Sequence, residues 1–163
     1  MTFLASAISS LALTPSRVRS LVDGLSEAEL SETPGPGTFS IRENVAHLRD
    51  IDVLGYEQRV LRTLTEVQPL LPDLNGSALA IERDYAHQAV LPALEELAVS
   101  RARSMARLRQ ATEADLERTA VYEGMGVVTL RRILELWLEH DAEHLADMAL
   151  LKSGEAKPSR SAA

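Results

Sequence analysis

Two histidines four residues apart, His140 and His144, lie in the strongly helical run Leu136-Trp137-Leu138-Glu139-His140-Asp141-Ala142-Glu143-His144-Leu145. Residues at i and i+4 stand one above the other on a helix face, so both imidazoles point the same way. One helix can then offer two nitrogen ligands to one metal ion. Leu130, Ile133, Trp137, His140, His144 and Met148 recur at spacings of 3, 4, 3, 4 and 4, which is the inward seam of a packed helix. The histidines therefore stand where core residues are expected, and a buried polar ring must find a partner. For the pair alone two readings stay open: ligands to an ion, or core histidines hydrogen-bonded to neighbouring groups. A third ligand is needed to separate them.

His47 supplies a candidate. Ser40-Ile41-Arg42-Glu43 has the spacing of a capping box and opens a helix predicted to run to about Val67. Along it His47, Ile51, Leu54, Leu61 and Leu64 follow at spacings of 4, 3, 7 and 3, beside a second edge of Ile41, Val45 and Leu48. Three of the chain's four histidines thus lie on inward seams, which favours the metal reading. Three neutral imidazoles leave open coordination positions, as in catalytic rather than structural sites. The expected cofactor is one divalent ion per chain, zinc or nickel first, with iron, manganese or copper also compatible.

Two other constellations are weaker. His140-Asp141-Ala142-Glu143-His144 resembles the H-E-x-x-H helix of zinc peptidases, but with Asp in the glutamate slot and no downstream third ligand. Asp84-Tyr85-Ala86-His87 and Asp141-Ala142-Glu143-His144 have the carboxylate-x-x-His spacing of di-iron bundles, without the inward glutamates those need. His87 is expected to pack or cap near a helix start. Asp141 points off the seam, toward a supporting or solvated role. Trp137, one turn before His140, either lines a substrate cavity or packs in the core. No residue beyond the three ligands is assigned to catalysis.

The elements that must position these residues read as helices. Leu4, Ile8, Leu11, Val18, Leu21 and Val22 give a first helical region, interrupted at Thr14-Pro15. Ser26-Glu27-Ala28-Glu29 starts one short turn, and Pro34-Gly35-Pro36-Gly37 is a loop. After a long connection from about 68 to 85, a third helix spans His87 to Gln110, with Arg101 interrupting its stripe and expected to snorkel outward. Residues 119 to 126 are read as the last loop and Val127 to Lys152 as the last helix. Four long helices with one apolar seam each are best buried as an all-α four-helix bundle, and the 68–85 connection is long enough to cross over its end. The expected organisation is one domain over 1–153, with a flexible tail over 154–163.

Composition agrees with this and excludes other classes. The chain of 163 residues is 45% hydrophobic but 4% aromatic, so its core is built from Leu, Ala, Val and Ile. A net charge of −7 argues against a nucleic-acid surface, and the basic residues are 15 Arg against 2 Lys. With no cysteine there is no disulfide, thiolate ligand or cysteine nucleophile, so any thiol would come from outside. The N-terminal residues lack the basic region of a secretion signal and no run is long enough to span a membrane, so a cytoplasmic protein with no membrane partner is expected. The apolar residues between 3 and 13 suggest a homodimer.

The chain resembles the DinB-like metal-binding bundles, a damage-inducible superfamily that includes the YfiT-type proteins. The resemblance covers nearly its whole length. It rests on Pro34-Gly35-Pro36-Gly37 leading into Phe39-Ser40-Ile41-Arg42-Glu43-Asn44-Val45-Ala46-His47-Leu48, and on Gly126 through Thr129-Leu130 into His140-Asp141-Ala142-Glu143-His144-Leu145. It implies a metal held by His47, His140 and His144, with Phe39 where the family usually has Trp. It also implies a metal-dependent enzyme acting on small molecules: a transferase using a low-molecular-weight thiol such as bacillithiol or mycothiol, or an isomerase or hydrolase. The alternative is a non-catalytic metal-binding stress protein whose ion only stabilises the bundle.

Overall fold

Side-chain caps set where the helices of this chain begin. A computed structural model of the chain describes residues 1–154. Ser40 caps helix α4 (Ile41–Asp50) in a full capping box with Glu43, and Ser26 caps the short α3 (Glu27–Ser31) in the same way with Glu29. The first helical region is two helices, α1 (Phe3–Ala12) and α2 (Thr14–Val22), parted at Leu13 just ahead of Pro15. Thr129 caps the last helix, α8 (Leu130–Ser153), and Gly154 ends it in the left-handed conformation at φ 66°. The expected tail lies outside the described residues except for Gly154.

The second helix is not uniform. After α4 the chain widens into a π-helical stretch, Ile51–Tyr56, before α5 (Glu57–Thr65). The wider turn shifts which residues face inward. From its end onward Tyr56, Val60 and Thr63 are buried, whereas Leu54, Leu61 and Leu64 of the predicted stripe are half-buried. Asp52 also turns inward, with 1% of its surface exposed.

The third long helix, α7 (Val90–Leu108), follows a short α6 (Gly76–Glu82) within the 68–85 connection, and begins three residues later than predicted. The principal packing contacts join both α1–α2 and α4–α5 to α7 and α8. The first and second long elements therefore face each other across the diagonal, with the crossover between the second and third. The all-helical expectation holds for the bundle.

A small sheet was not expected. β1 (Leu70–Leu71) pairs parallel with β2 (Thr119–Tyr122), which pairs antiparallel with β3 (Gly126–Thr129). The predicted loop over 119–126 is thus a hairpin, its turn carried by Gly124 and Gly126 at φ 80° and 81°. It ties the crossover to the start of α8.

The core divides into two apolar clusters with a polar layer between them. One gathers Leu4, Leu11, Tyr56, Val60, Met105, Ile133 and Trp137; the other gathers Val18, Ile41, Val45, Leu48, Leu94, Leu97 and Met148. Between them each long element contributes polar residues at the same level: Thr14, then His47 and Asp52, then Ser100 and Arg101, then His140, Asp141 and His144. Leu4, Ala7 and Leu11 pack inside the chain's own core, so the apolar surface behind the homodimer expectation lies largely within one chain. No described helix is long and apolar enough to cross a membrane.

Candidate metal centre

The polar layer brings the three sequence-predicted histidines together. His47 comes from α4 and His140 and His144 from α8. The Nε2 atoms of His47 and His140 are 3.1 Å apart, and one ligand atom from each of the three rings lies within 4.8 Å of the others. Ring centroids are 5.2 Å apart for His47–His140 and 4.5 Å for the other two pairs. His87 is elsewhere, in a 3₁₀ turn with its side chain 82% exposed and Nδ1 2.8 Å from Asp84.

Burial decides the charge of this cluster. Desolvation, then the neighbouring imidazoles, lowers the pKa of His47 to about 2. Desolvation and His140 lower that of His144 to about 3. Both rings are therefore neutral at pH 7 and carry the lone pairs a metal requires. For His144 the lone pair can be placed. The Asn44 amide nitrogen donates to the Ser40 carbonyl at 2.9 Å, so its Oδ1 faces His144 Nδ1 at 2.7 Å and accepts that proton. Nε2 of His144 is left unprotonated. Asn44 follows Ile41 by three residues and precedes Leu48 by four, so the second edge of that helix, not the stripe of His47, carried the signal that it faces inward.

The donor set fits a divalent ion. Two nitrogens each about 2.1 Å from one tetrahedral centre stand roughly 3.4 Å apart, near the 3.1 Å found here. Among the described residues the cluster comprises these three histidines and no carboxylate. His140 is the outward member, its side chain 20% exposed, while His47 and His144 are buried.

Aromatic and backbone walls hold the rings. Phe39 lies 5.2 Å and Tyr85 6.4 Å from His47, centroid to centroid. Gly76, the first residue of α6, packs against the same imidazole: a Cβ there would sit 2.6 Å from His47 Cε1. Tyr56 stacks on Trp137 at 4.8 Å and lies 5.9 Å from His140. Trp137 itself is 1% exposed and also packs under Arg101, so it is a core residue.

The rest of the polar layer corrects one expectation, for Arg101, and narrows another, for Asp141, to its supporting alternative. Arg101 does not snorkel outward; it is 2% exposed and pairs with Asp52 and Asp141, both at 2.7 Å. It also donates to the Leu11 carbonyl at 2.7 Å. Asp141 is not solvated. It receives the Thr14 hydroxyl at 2.7 Å, and its Oδ1 lies 3.8 Å from His140 Nδ1, too far for a hydrogen bond. Burial alone would raise the pKa of Asp141, but Arg101 beside it holds it below the usual range; in Asp52 burial prevails and raises it.

The sequence and the fold both have relatives among known proteins. Residues 10–148 match the DinB superfamily. A Bacillus licheniformis protein named "Putative metal-dependent hydrolase" is 31% identical over 143 residues, covering 85% of this chain and 79% of its own. A Halalkalibacterium halodurans protein of the same description is 27% identical over 139 residues, covering 85% and 80%. The fold is shared with YfiT from Bacillus subtilis, described as a probable metal-dependent hydrolase with an unusual four-helix bundle topology. The TM-score is 0.85 at 22% identity, over 96% of this chain and 91% of that one. The chain belongs to the DinB superfamily.

Proposed function

We propose that His47, His140 and His144 hold one divalent metal ion through Nε2, and that the protein is a metal-dependent enzyme adding a nucleophile to small electrophilic molecules. The observation that carries this reading is the meeting of three imidazole nitrogens, two of them in rings kept neutral by burial, with no fourth ligand in the cluster among the described residues. Three imidazoles suit a borderline ion, zinc or nickel before iron, manganese or copper. Such an ion, when bound, acidifies a coordinated water or thiol and polarises the group it attacks.

The chain's own residues prepare that chemistry. Asn44 keeps the His144 proton on Nδ1, and Phe39 and Tyr85 cover the buried side of His47. His140, the exposed member, marks the side from which a small molecule arrives. The names of the Bacillus licheniformis and Halalkalibacterium halodurans relatives support hydrolysis, with water as nucleophile. A chain without cysteine is also compatible with a small cellular thiol as the nucleophile.

The test is elemental analysis of untagged protein, followed by turnover assays. About one equivalent of metal is expected, as one three-ligand site holds one ion. Alanine at position 47, 140 or 144 should remove it and His87→Ala should not. Full occupancy in His47→Ala overturns the cross-helix site. Loaded protein should hydrolyse members of an ester and amide panel, or conjugate bacillithiol, mycothiol or glutathione to epoxide or chlorinated electrophiles. A loaded protein inert in both assays has an ion that only stabilises the bundle.

A further inference from the structure

Among the described residues four arginines are buried, and one of them has a counter-ion only at the limit of pairing distance. Arg42, Arg49 and Arg101 are paired with Glu27, Asp50 and Asp52 respectively. Arg59, on α5 and 4% exposed, is not held in this way. Its guanidinium lies between two rings, 5.0 Å from the centroid of Tyr56 and 4.6 Å from that of Tyr122. Rings cover the faces of a guanidinium, whereas its five N–H donors point outward in its plane. In that plane the protein offers one long hydrogen bond, from Nη2 to the Pro72 carbonyl at 3.4 Å. The Asp73 carboxylate stands 4.0 Å away, on a side chain that is 64% exposed. Nε is buried without a partner. A buried cation in this state is costly unless an anion completes it.

The position of Arg59 ties it to the histidine centre. The side chain turns back along its helix, so that Nη1 would lie 3.1 Å from a Cβ built on Gly55. Tyr56, under the guanidinium, is also the ring 5.9 Å from His140. The two separations bound the distance from guanidinium carbon to the His140 ring centre at roughly 11 Å, short enough for one small molecule to reach both groups.

We propose that Arg59 is the oxyanion-binding residue of the substrate site, taking a carboxylate or phosphate group of a small molecule whose reactive end lies at the histidine centre. The planar fork of Arg matches both groups through paired N–H donors. The second half of this statement rests on the reading of His47, His140 and His144 as a metal site; the anion contact needs no metal. Asp73 occupies part of the fork only at the limit of an ion pair, so an arriving oxyanion displaces little.

The experiment titrates metal-free and metal-loaded protein with acetate, succinate and inorganic phosphate by calorimetry, in the wild type, Arg59→Lys and Arg59→Met. Wild-type protein should bind at least one of the three anions in both states, and the preference between carboxylates and phosphate identifies the group. Arg59→Met should weaken that binding about tenfold or more, with metal content unchanged. Arg59→Lys, which keeps charge but loses the fork, should fall between. Equal titrations of wild type and Arg59→Met, or no anion bound by the wild type, overturn the proposal. If Arg59→Met fails to fold, Arg59→Lys carries the test, and unchanged affinity in it overturns the proposal. Anion binding without metal binding leaves Arg59 in place and overturns the metal reading instead.

Discussion

Two buried polar clusters sit side by side in the layer between the apolar halves of this bundle, and they are built on opposite principles. Around Arg101 every strong charge is answered: Asp52 and Asp141 grip the guanidinium, Thr14 and Ser100 donate to the carboxylates, and the Leu11 carbonyl takes a further N–H. Around His47 and His144 burial keeps the rings neutral, and ring nitrogens of the cluster are left over, including the buried Nδ1 atoms of His47 and His140. The difference separates a part that fastens four helices from a part whose nitrogens could take a ligand. Asp141 touches both, since it pairs with Arg101 and follows His140 in the chain.

The largest effect should come from breaking the fastened cluster. Arg101→Met leaves Asp52 and Asp141 buried with no cation between them, and removing one partner of a buried pair costs about 3–5 kcal/mol. Denaturant unfolding should show that loss. Neutralising both carboxylates in the same background, as Asp52→Asn and Asp141→Asn, should recover part of it. A single Arg101→Met variant within about 0.5 kcal/mol of the wild type, the range of an ordinary surface substitution, would mean the network is not structural.

The unanswered cluster should fail through protons. In the folded chain the pKa values of His47 and His144 lie near 2 and 3, below the unfolded value of 6.5. Above pH 6.5 neither state binds these protons and there is no penalty. As pH falls below 6.5 the unfolded chain takes them up and the folded chain does not, so stability declines. At pH 5 the loss is about 2 kcal/mol for each of the two. Chelated protein unfolded in denaturant at pH 7.5 and pH 5 checks this, and His47→Gln should remove about half of the difference. Added zinc should raise stability at pH 7.5 far more than at pH 5, because protons compete for the ligand nitrogens.

The contrast between the clusters also explains what the sequence disclosed. His47, His140 and His144 stood out because helical periodicity alone puts them on seams, and the α8 seam from Leu130 to Met148 was read nearly residue for residue. Arg101 stood on a seam as well, but its partners lie 49 and 40 residues away, so nothing local distinguished an inward arginine from an outward one. The π-helical turn at Ile51–Tyr56 was invisible for a similar reason: an α-helical period applied across it selected Leu54, Leu61 and Leu64 instead of Tyr56, Val60 and Thr63. The sheet escaped because its strands are two to four residues long, below the length at which alternation can be read. Within the 68–85 connection Asn75 caps a helix and Gly76 makes room for an imidazole, a contact between distant residues that no local signal carries.

That glycine offers the smallest and most selective change. Gly76 is the first residue of α6 and does not adopt a positive φ, so its backbone suits an alanine. In such positions Gly→Ala stabilises by about 0.4–1 kcal/mol through the unfolded chain. The added methyl group, however, would stand 2.6 Å from His47 Cε1 and 3.1 Å from Nδ1, inside van der Waals contact. His47 is packed on its other sides by Phe39, Tyr85 and the two partner histidines, so relief must come from tilting the ring or shifting α6. A ring displaced by about half an ångström no longer meets the geometry a preorganised site requires. Gly76→Ala should therefore unfold within about 1 kcal/mol of the wild type when metal-free, yet bind zinc about tenfold more weakly in a chelator competition. Because the substitution leaves all three imidazoles in the chain, weakened binding would locate the ion against His47 by position, which the alanine variants of the ligands cannot do. Unchanged zinc affinity with unchanged stability would show that α6 yields instead, and that the crossover does not hold His47 in place.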